Sequence, residues 1–432
     1  MKKLMTIGLA AAMMFAMAGQ ASATALETSG EIRARGWYVN NYIASGRGTD
    51  WFDQRLRLNL VWPVAENVKV NVRADILEGF WGENSETTVN SFDPATGKVI
   101  PTTTGTPAKP QIAFDHVNMQ FLWPGTPLTF TVGRQDVSWG TGMYAKSDNR
   151  DRFKVVAKFA PELSVIFAYD KSKEMFGAEG TNNLEDARAW TLAAAGAAAG
   201  WNYGVLTLYS IDETNPVGAK TRIGLDATAS GKAGPVDLKV EVAYVTGKDE
   251  LGVAGDVDVS GIGAYVSAAM PAGPVTVTLE GAYAGGNDPT TKKNEGGFRF
   301  DYQSSFWSII LYNNLDYPGY LGSESGNAVT SDYANDFGVT NAMAAKASVA
   351  WVPMKGFTLI GAAVYSQAIE DVRVGTTLIK ADPLGIEFDV VAVYNITDNV
   401  YFLGGFGYLV AGDFFGDVDD PMGVMGSLNV KF

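Results

Sequence analysis

A transmembrane, all-β, antiparallel up-and-down β-barrel of about 18 strands, with 16 as the near alternative, is the architecture this sequence predicts. Three observations carry the reading. Apolar and polar residues alternate with period two along most of the chain, connections between those runs swap short and long in order, and the polar face of the first runs is ionised. A period of two puts successive side chains on opposite faces of a strand.

The chain opens MKKLMTIGLAAAMMFAMAGQASA, with Lys2 and Lys3 ahead of an apolar run from Leu4 to Ala18, and Ala21-Ser22-Ala23 fitting a cleavage box. That is the pattern of an export leader, and the run is too short for a membrane helix. The expected division is a signal peptide over 1–23 and one barrel domain over 24–432. In WFDQRLRLNLVW, Phe52, Leu56, Leu58, Leu60 and Trp62 share a face, with Asp53, Arg55, Arg57 and Asn59 opposite. VKVNVRADI sets Val68, Val70, Val72, Ala74 and Ile76 against Lys69, Asn71, Arg73 and Asp75, and VDLKVEVAY sets Val236, Leu238, Val240, Val242 and Tyr244 against Asp237, Lys239 and Glu241. The closing stretch MGVMGSLNVKF alternates in the same way and finishes on Phe432. These runs read as strands.

Tight turns are expected at WPVAEN, WPGTP, SGKAGP, PAGP, VPMKG and ITDN. Long polar connections are expected over Glu78 to Pro110, Asp136 to Arg150, Lys171 to Glu185, Gly285 to about Thr340 and Ser366 to Leu384. An even strand count brings the last strand beside the first, and closure removes the sheet's edges. Two stretches are ambiguous. FRFDYQSSFWSIILYNN, Phe298 to Asn314, suits a loop, a short helix or a strand pair, and AWTLAAAGAAAG around Ala193 is made of weak strand formers.

The apolar face could meet protein or lipid. A soluble barrel needs a filled interior, yet Arg33, Arg35, Arg55, Arg57, Lys69 and Arg73 fall on the polar face. Burying such charges dry costs several kcal/mol each. The polar face is therefore expected to line water and the apolar face to meet hydrocarbon. Strands of about 11 residues tilted near 40° cross roughly 25 Å of it. Asp115 is the exception, falling on the lipid face in this register and expected to lie above the hydrocarbon. Trp62, Trp123 and Trp351 stand beside turn prolines, where indole rings suit the headgroup layer.

Composition removes several classes. Basic residues number 33 against 47 acidic, a net charge of −14, which disfavours nucleic acid. No cysteine is present, so thiol catalysis, iron–sulfur clusters and attached haem are excluded, and one histidine, His116, cannot build a His-rich metal site. No cofactor is expected. His116 with Asn118 invites comparison with a lipid hydrolase, but no serine can be placed beside them, so no enzyme is expected.

The stretch VGRQDVSWGTGMYAKSDNRDRF, Val132 to Phe153, starts as a strand and breaks into glycine, polar and aromatic residues. Gly140 and Gly142 offer the backbone freedom to fold inward. With its place after about the fifth strand, its GRQ-then-glycine pattern, the leader and the terminal Phe, the chain resembles the trimeric porins of bacterial outer membranes, most closely the delta-proteobacterial homotrimers. Where enterobacterial members carry PEFGG, this chain has Trp139-Gly140-Thr141-Gly142-Met143. The resemblance implies a homotrimer in the outer membrane among lipopolysaccharide, passing ions and small hydrophilic solutes passively through a pore narrowed by the inward loop. It also implies a constriction with Asp136, Asp148 and Asp151 on the loop facing Arg33, Arg35, Arg55, Arg57 and Arg73 on the wall. A channel selective for a sugar or a carboxylate is the alternative, and a structural or adhesive barrel a further one. The cluster Asp413, Asp417, Asp419 and Asp420 suits a solvated loop better than a divalent-ion site.

Overall fold

The computed structural model describes residues 25–42, 47–81, 88–93, 98–103, 112–173, 186–214, 218–250, 252, 255–291, 294–300, 306–312, 339–374 and 377–432. The leader over 1–23 lies outside them. Eighteen long strands form the wall: β1 Glu27–Tyr42, β2 Arg47–Ala65, β3 Val68–Phe80, β4 Ile112–Leu122, β5 Leu128–Trp139 and β6 Ala145–Ala160. β7 Leu163–Lys173, β8 Ala187–Ala198, β9 Trp201–Asp212, β10 Lys220–Ala233, β11 Val236–Asp249 and β12 Val257–Ala272 follow. The last six are β13 Val275–Ala284, β14 Ala342–Met354, β15 Phe357–Ala368, β16 Pro383–Asn395, β17 Val400–Ala411 and β18 Met422–Lys431. Each pairs antiparallel with its chain neighbour, and β1 pairs with β18 from Glu31↔Lys431 to Asn40↔Met422. The barrel is closed.

At the seam the Phe432 backbone exchanges hydrogen bonds with Gly30, N–H to O at 2.8 and 3.1 Å. The Phe432 ring lies where a Cβ on Gly30 would stand, 2.5 Å away. The tight turns fall where the sequence places them, at one end of the barrel with the start of β1 and the end of β18. The outer face is apolar, with Ile32, Leu192, Val205, Leu279 and Leu428 exposed. Aromatic rings gather at both of its ends. Phe121, Trp123 and Phe130 cluster at the short-turn end, with Trp123 5.8 and 5.9 Å from its neighbours. Tyr169, Trp190 and Tyr209 line up across β7–β9 at the other, 5.6 Å apart. Rings with one polar edge suit such interfaces.

One ambiguous stretch is decided, and two expectations are corrected. The Ala-rich stretch is strand β8, its weak propensity overridden by two full ladders with β7 and β9. The expected long connection Asp136 to Arg150 is mostly strand, because β5 and β6 stay paired out to Trp139↔Ala145. Asp136, Asp148 and Asp151 therefore stand on strands, and only Gly140 to Tyr144 forms the turn. Asp115 does not face lipid. The β3–β4 register slips between Arg73 and Ala74, giving Arg73↔His116 but Ala74↔Phe114, so Asp115 is the bulged residue. A bulge re-aims a side chain, and here it turns Asp115 to the lumen while Phe114 stays outside.

The expectation that the whole inner face is wet holds for part of it. Phe298, Phe300, Phe306, Ile309, Ile310, Leu311 and Tyr312 are buried inside the barrel. They pack with lumen-facing residues of β11–β17, among them Ala243, Tyr265, Ala344, Val364, Val391 and Leu409. Part of the connection between β13 and β14 thus folds inward and fills the β11–β18 side. Of the three forms the sequence left open for Phe298 to Asn314, the described residues take the loop, with one bridge from Arg299 to Thr340.

Candidate functional site

Alternation sends Arg33 and Arg35 from β1, Arg55 and Arg57 from β2 and Arg73 from β3 into the lumen, while Ile32, Phe52 and Trp62 face outward. Because β1 and β2 pair Arg33 with Arg55, and β2 and β3 pair Asn59 with Arg73, the guanidinium groups form a continuous field across three strands. Carboxylates are threaded through it. Arg35 Nε donates to Asp53 Oδ1 at 2.9 Å, Arg55 lies 3.4 Å from Glu31, and Arg33 3.9 Å from Asp53. Arg57 binds Asp75 through two hydrogen bonds of 2.7 and 2.6 Å. Asp115 on the bulge joins Arg57 and Arg73 at 3.1 and 3.0 Å. Two parallel N–H···O bonds fix a guanidinium plane as well as its charge.

The field continues onto β6 and β7, where Arg152 and Arg150 share Asp170, with Arg152 Nη2 at 2.7 Å and Arg150 Nη1 at 3.3 Å. Arg73 reaches β6 as well, donating to Asn149 Oδ1 at 3.4 Å. The five arginines singled out in the sequence are thus together on one wall. Of the three acids, Asp136 accepts from Ser138 at 2.9 Å, and Asp151 makes an exposed pair with Arg134 at 3.5 Å. Asp148 pairs in register with Val137, and its side chain lies outside the described residues. These acids lie on strands two to three places from β3, beside the arginines.

Opposite lie carboxylates that the sequence reading did not select. The tip of the β5–β6 hairpin leans onto β10 and β11. Trp139 Nε1 donates to Asp226 Oδ1 at 2.6 Å, the Thr141 hydroxyl to Glu241 Oε2 at 2.6 Å, and the Tyr144 N–H to Glu241 Oε1 at 3.0 Å. The Thr141 N–H also donates to Glu241. Gly140 has φ +57° and no room for a Cβ, which would sit 2.4 Å from Glu241 Oε2. Burial pushes the Tyr144 hydroxyl up to about 12.

The second inward segment, Phe306 to Tyr312, is fixed to β16 in a similar way. Ser308 Oγ, the Ile310 N–H and the Leu311 N–H all donate to Glu387, at 2.7, 2.6 and 2.8 Å. Lys346 on β14 donates to the Trp307 carbonyl at 3.0 Å, lies 3.2 Å from Glu280, and stands 4.5 Å over the Trp307 ring. Tyr312 meets Ser366 hydroxyl to hydroxyl. Glycines at 405, 407 and 423 leave space for Ile309, which a Cβ on Gly407 would approach to 2.8 Å.

The signal for both anchors is in the sequence. Glu241 and Glu387 are each an acid on the inner side of a strand whose neighbours are apolar, in VEVAY and IEFDVV. Such a residue needs a partner from elsewhere in the chain. Beneath Tyr144 lies a cavity of ≈ 560 Å³ lined in part by Arg134, Arg150, Lys171, Asn149, Ser210 and Leu208. Among the described residues no acidic or histidine cluster suits a metal ion. The GDVDD stretch instead uses Asp420 to accept from Tyr408 and the Ala411 N–H, at 2.8 and 3.0 Å.

No family model and no curated protein matches the chain. Solved structures do. A BenF-like porin from Pseudomonas fluorescens is 10% identical, covering 95% of this chain and 100% of that one with a TM-score of 0.56. OccK2 of Pseudomonas aeruginosa, in complex with glucuronate, is 9% identical over 94% of this chain and 98% of its own, TM-score 0.53. OpdK of the same organism, with vanillate, is 11% identical over 94% and 99%, TM-score 0.53. The class is therefore a closed, 18-stranded antiparallel barrel with lipid-type exterior and ionised lumen. That fold is the one these outer-membrane porins have.

Proposed function

We propose that this protein is an outer-membrane porin, a passive aqueous channel for ions and small hydrophilic solutes. The observation that carries the proposal is the run of lumen-facing arginines across β1–β3 and β6, inside a barrel whose exterior is apolar. In a narrow aqueous gap such charges are screened less than in bulk and bias which solutes enter. Arg33, Arg35, Arg55, Arg57 and Arg73 form the basic side of the constriction in this reading. The hairpin tip seated on the buried Asp226 and Glu241 faces them across the lumen in this reading, and Asp136, Asp148 and Asp151 remain the candidate acids beside the arginines. The leader over 1–23 is cleaved on export, the barrel sits as a homotrimer among lipopolysaccharide, and no reaction or cofactor is involved.

A carboxylate-preferring version of this channel is favoured by one specific feature, the cavity whose lining sets Arg134, Arg150 and Lys171 against a single acid, Asp151. The solved structures with glucuronate and vanillate, both carboxylates, support the same preference. Single-channel recording in a KCl gradient tests both. Replacing Arg55 and Arg57 together by Gln is expected to shift the reversal potential towards cation selectivity. Glucuronate at millimolar concentration is expected to reduce conductance saturably. Unchanged reversal potentials defeat the constriction assignment, and block that never saturates defeats the carboxylate preference.

A further inference from the structure

The cavity beneath Tyr144 lies between the leaning β5–β6 hairpin and the β7–β9 wall. The hairpin lends it Arg134, Arg150 and Asp151, and the wall lends it Lys171, Ser172 and Ser210. Its cations are held less tightly than those of the β1–β3 field. Arg57 sits 2.7 and 2.6 Å from Asp75, and Arg35 2.9 Å from Asp53. Arg134 meets Asp151 only at 3.5 Å, in a pair whose side chains are 42% and 64% exposed. Arg150 reaches Asp170 at 3.3 Å, but Arg152 already holds both oxygens of that carboxylate. Lys171 lies 2.7 Å from Asp186 with about a third of its side chain exposed. Counting Arg152 behind the lining, four cations stand among three carboxylates, Asp151, Asp170 and Asp186. A guanidinium has five N–H donors and an ammonium three, so the site holds more charged donors than its own acids take up.

We propose that this cavity binds a phosphate monoester carried on a small hydroxylated carbon body, as in a sugar phosphate. A carboxylate offers two oxygens in one plane, which a single guanidinium satisfies side by side. A phosphate monoester offers three terminal oxygens in a tetrahedral spread and carries a charge of about −1.5 to −2 at neutral pH. Arg134, Arg150 and Lys171 come to the cavity from three strands, β5, β6 and β7. Three separate donors suit a tetrahedral group better than a planar one. The hydroxyls of Ser172 and Ser210 and the side chain of Leu208 are left to meet the carbon body. A volume of ≈ 560 Å³ falls within the roughly 300–1,000 Å³ of small-molecule sites and far exceeds a bare phosphate. Carboxylates enter the same site more weakly. A part in solute uptake rests on the channel reading above, whereas the binding itself does not.

Calorimetric titration of the full barrel in detergent tests the assignment, with glucose 6-phosphate, glucuronate and inorganic phosphate as probes. Glucose 6-phosphate is expected to bind about tenfold more tightly than glucuronate, the difference made by one further hydrogen bond to a charged group. Arg134→Gln and Lys171→Gln are each expected to weaken glucose 6-phosphate about tenfold and glucuronate less. Both variants are expected to keep the barrel's β-sheet circular dichroism, because each removes one partly exposed pair. Lowering the pH from about 7.5 to about 5 adds a proton to the phosphate, whose second pKa is about 6. Glucose 6-phosphate is then expected to bind severalfold more weakly, while glucuronate, charged throughout, reports any change in the site itself. Equal affinity for glucose 6-phosphate and glucuronate overturns the phosphate assignment. Inorganic phosphate binding as tightly as glucose 6-phosphate overturns the carbon-body part, and unchanged affinity in both variants overturns the location. In planar bilayers, glucose 6-phosphate is expected to block conductance saturably over the concentrations that saturate the calorimetric signal. Binding in a barrel that never conducts counts against the channel reading alone, while conductance without phosphate-ester binding counts against the site alone.

Discussion

The two sides of the lumen are built from the same alternation and solve different problems. Around β1–β7 the inner face is guanidinium and carboxylate, each of the arginines described above meeting a carboxylate but with arginine in excess, and β-strand spacing, with the one bulge at Asp115, sets the pairs. Around β11–β18 the inner face is mostly small and apolar around a few buried charges such as Glu241, Lys346 and Glu387, with glycines at 405, 407 and 423, and it is covered by side chains delivered from a distant loop. The first arrangement keeps charge accessible to solutes; the second gives up accessible volume for a packed interior. The difference shows that in a barrel of this width an inner face can be a core as well as a water boundary. What decides is whether its acids are met by arginines on the next strand or by backbone N–H groups from a folded-in segment.

The comparison breaks most sharply at Glu387. Replacement by Ala leaves two buried N–H groups and the Ser308 hydroxyl without an acceptor, at about 1–3 kcal/mol for each. The segment is expected to leave the wall, seen as several-fold faster proteolysis next to Trp307 while the barrel's β-sheet circular dichroism is unchanged. Loss of the barrel itself shows instead that the filled side is required for folding. Glu241→Ala orphans the same kind of donors at Thr141 and Tyr144, but the tip is only five residues between paired strands. A smaller displacement is expected, read as a conductance increase of up to about twofold. On the ionised side the smallest effect is expected. Asp115→Asn weakens contacts to Arg57 and Arg73 that retain Asp75 and Asn149 as other partners. A cost of about 1–2 kcal/mol and a modest shift of the melting midpoint are expected, with a stronger anion preference. A larger cost than at Glu387 reverses the ranking of the two sides.

Much of this was legible in the residues. Period two, the order of turn lengths and the ring-bearing ends give the closed barrel, and the five arginines fall together because strand parity alone fixes their side. Parity fails where one residue is inserted, and Asp115 sits at such a slip. The β5–β6 region misled because glycine and polar residues suggest a loop, although its backbone follows the ladder, with one slip after Val137, until the five-residue turn. The inward segment was ambiguous for a different reason. A short apolar run such as Phe306 to Tyr312 carries no period that separates a strand from a buried loop, and its acceptor, Glu387, lies 77 residues from Ile310 in sequence. Only the acids set among apolar neighbours at Glu241 and Glu387 hint at it.

The seam has a consequence for biogenesis. Glu31 finds its register against Lys431, so the ladder that seals the cylinder joins opposite ends of the polypeptide, the most non-local contact the chain can make. Such contacts form late and slowly. Until then β1 and β18 offer bare edges that can recruit other chains, so sealing the cylinder removes the chain's main route to aggregation.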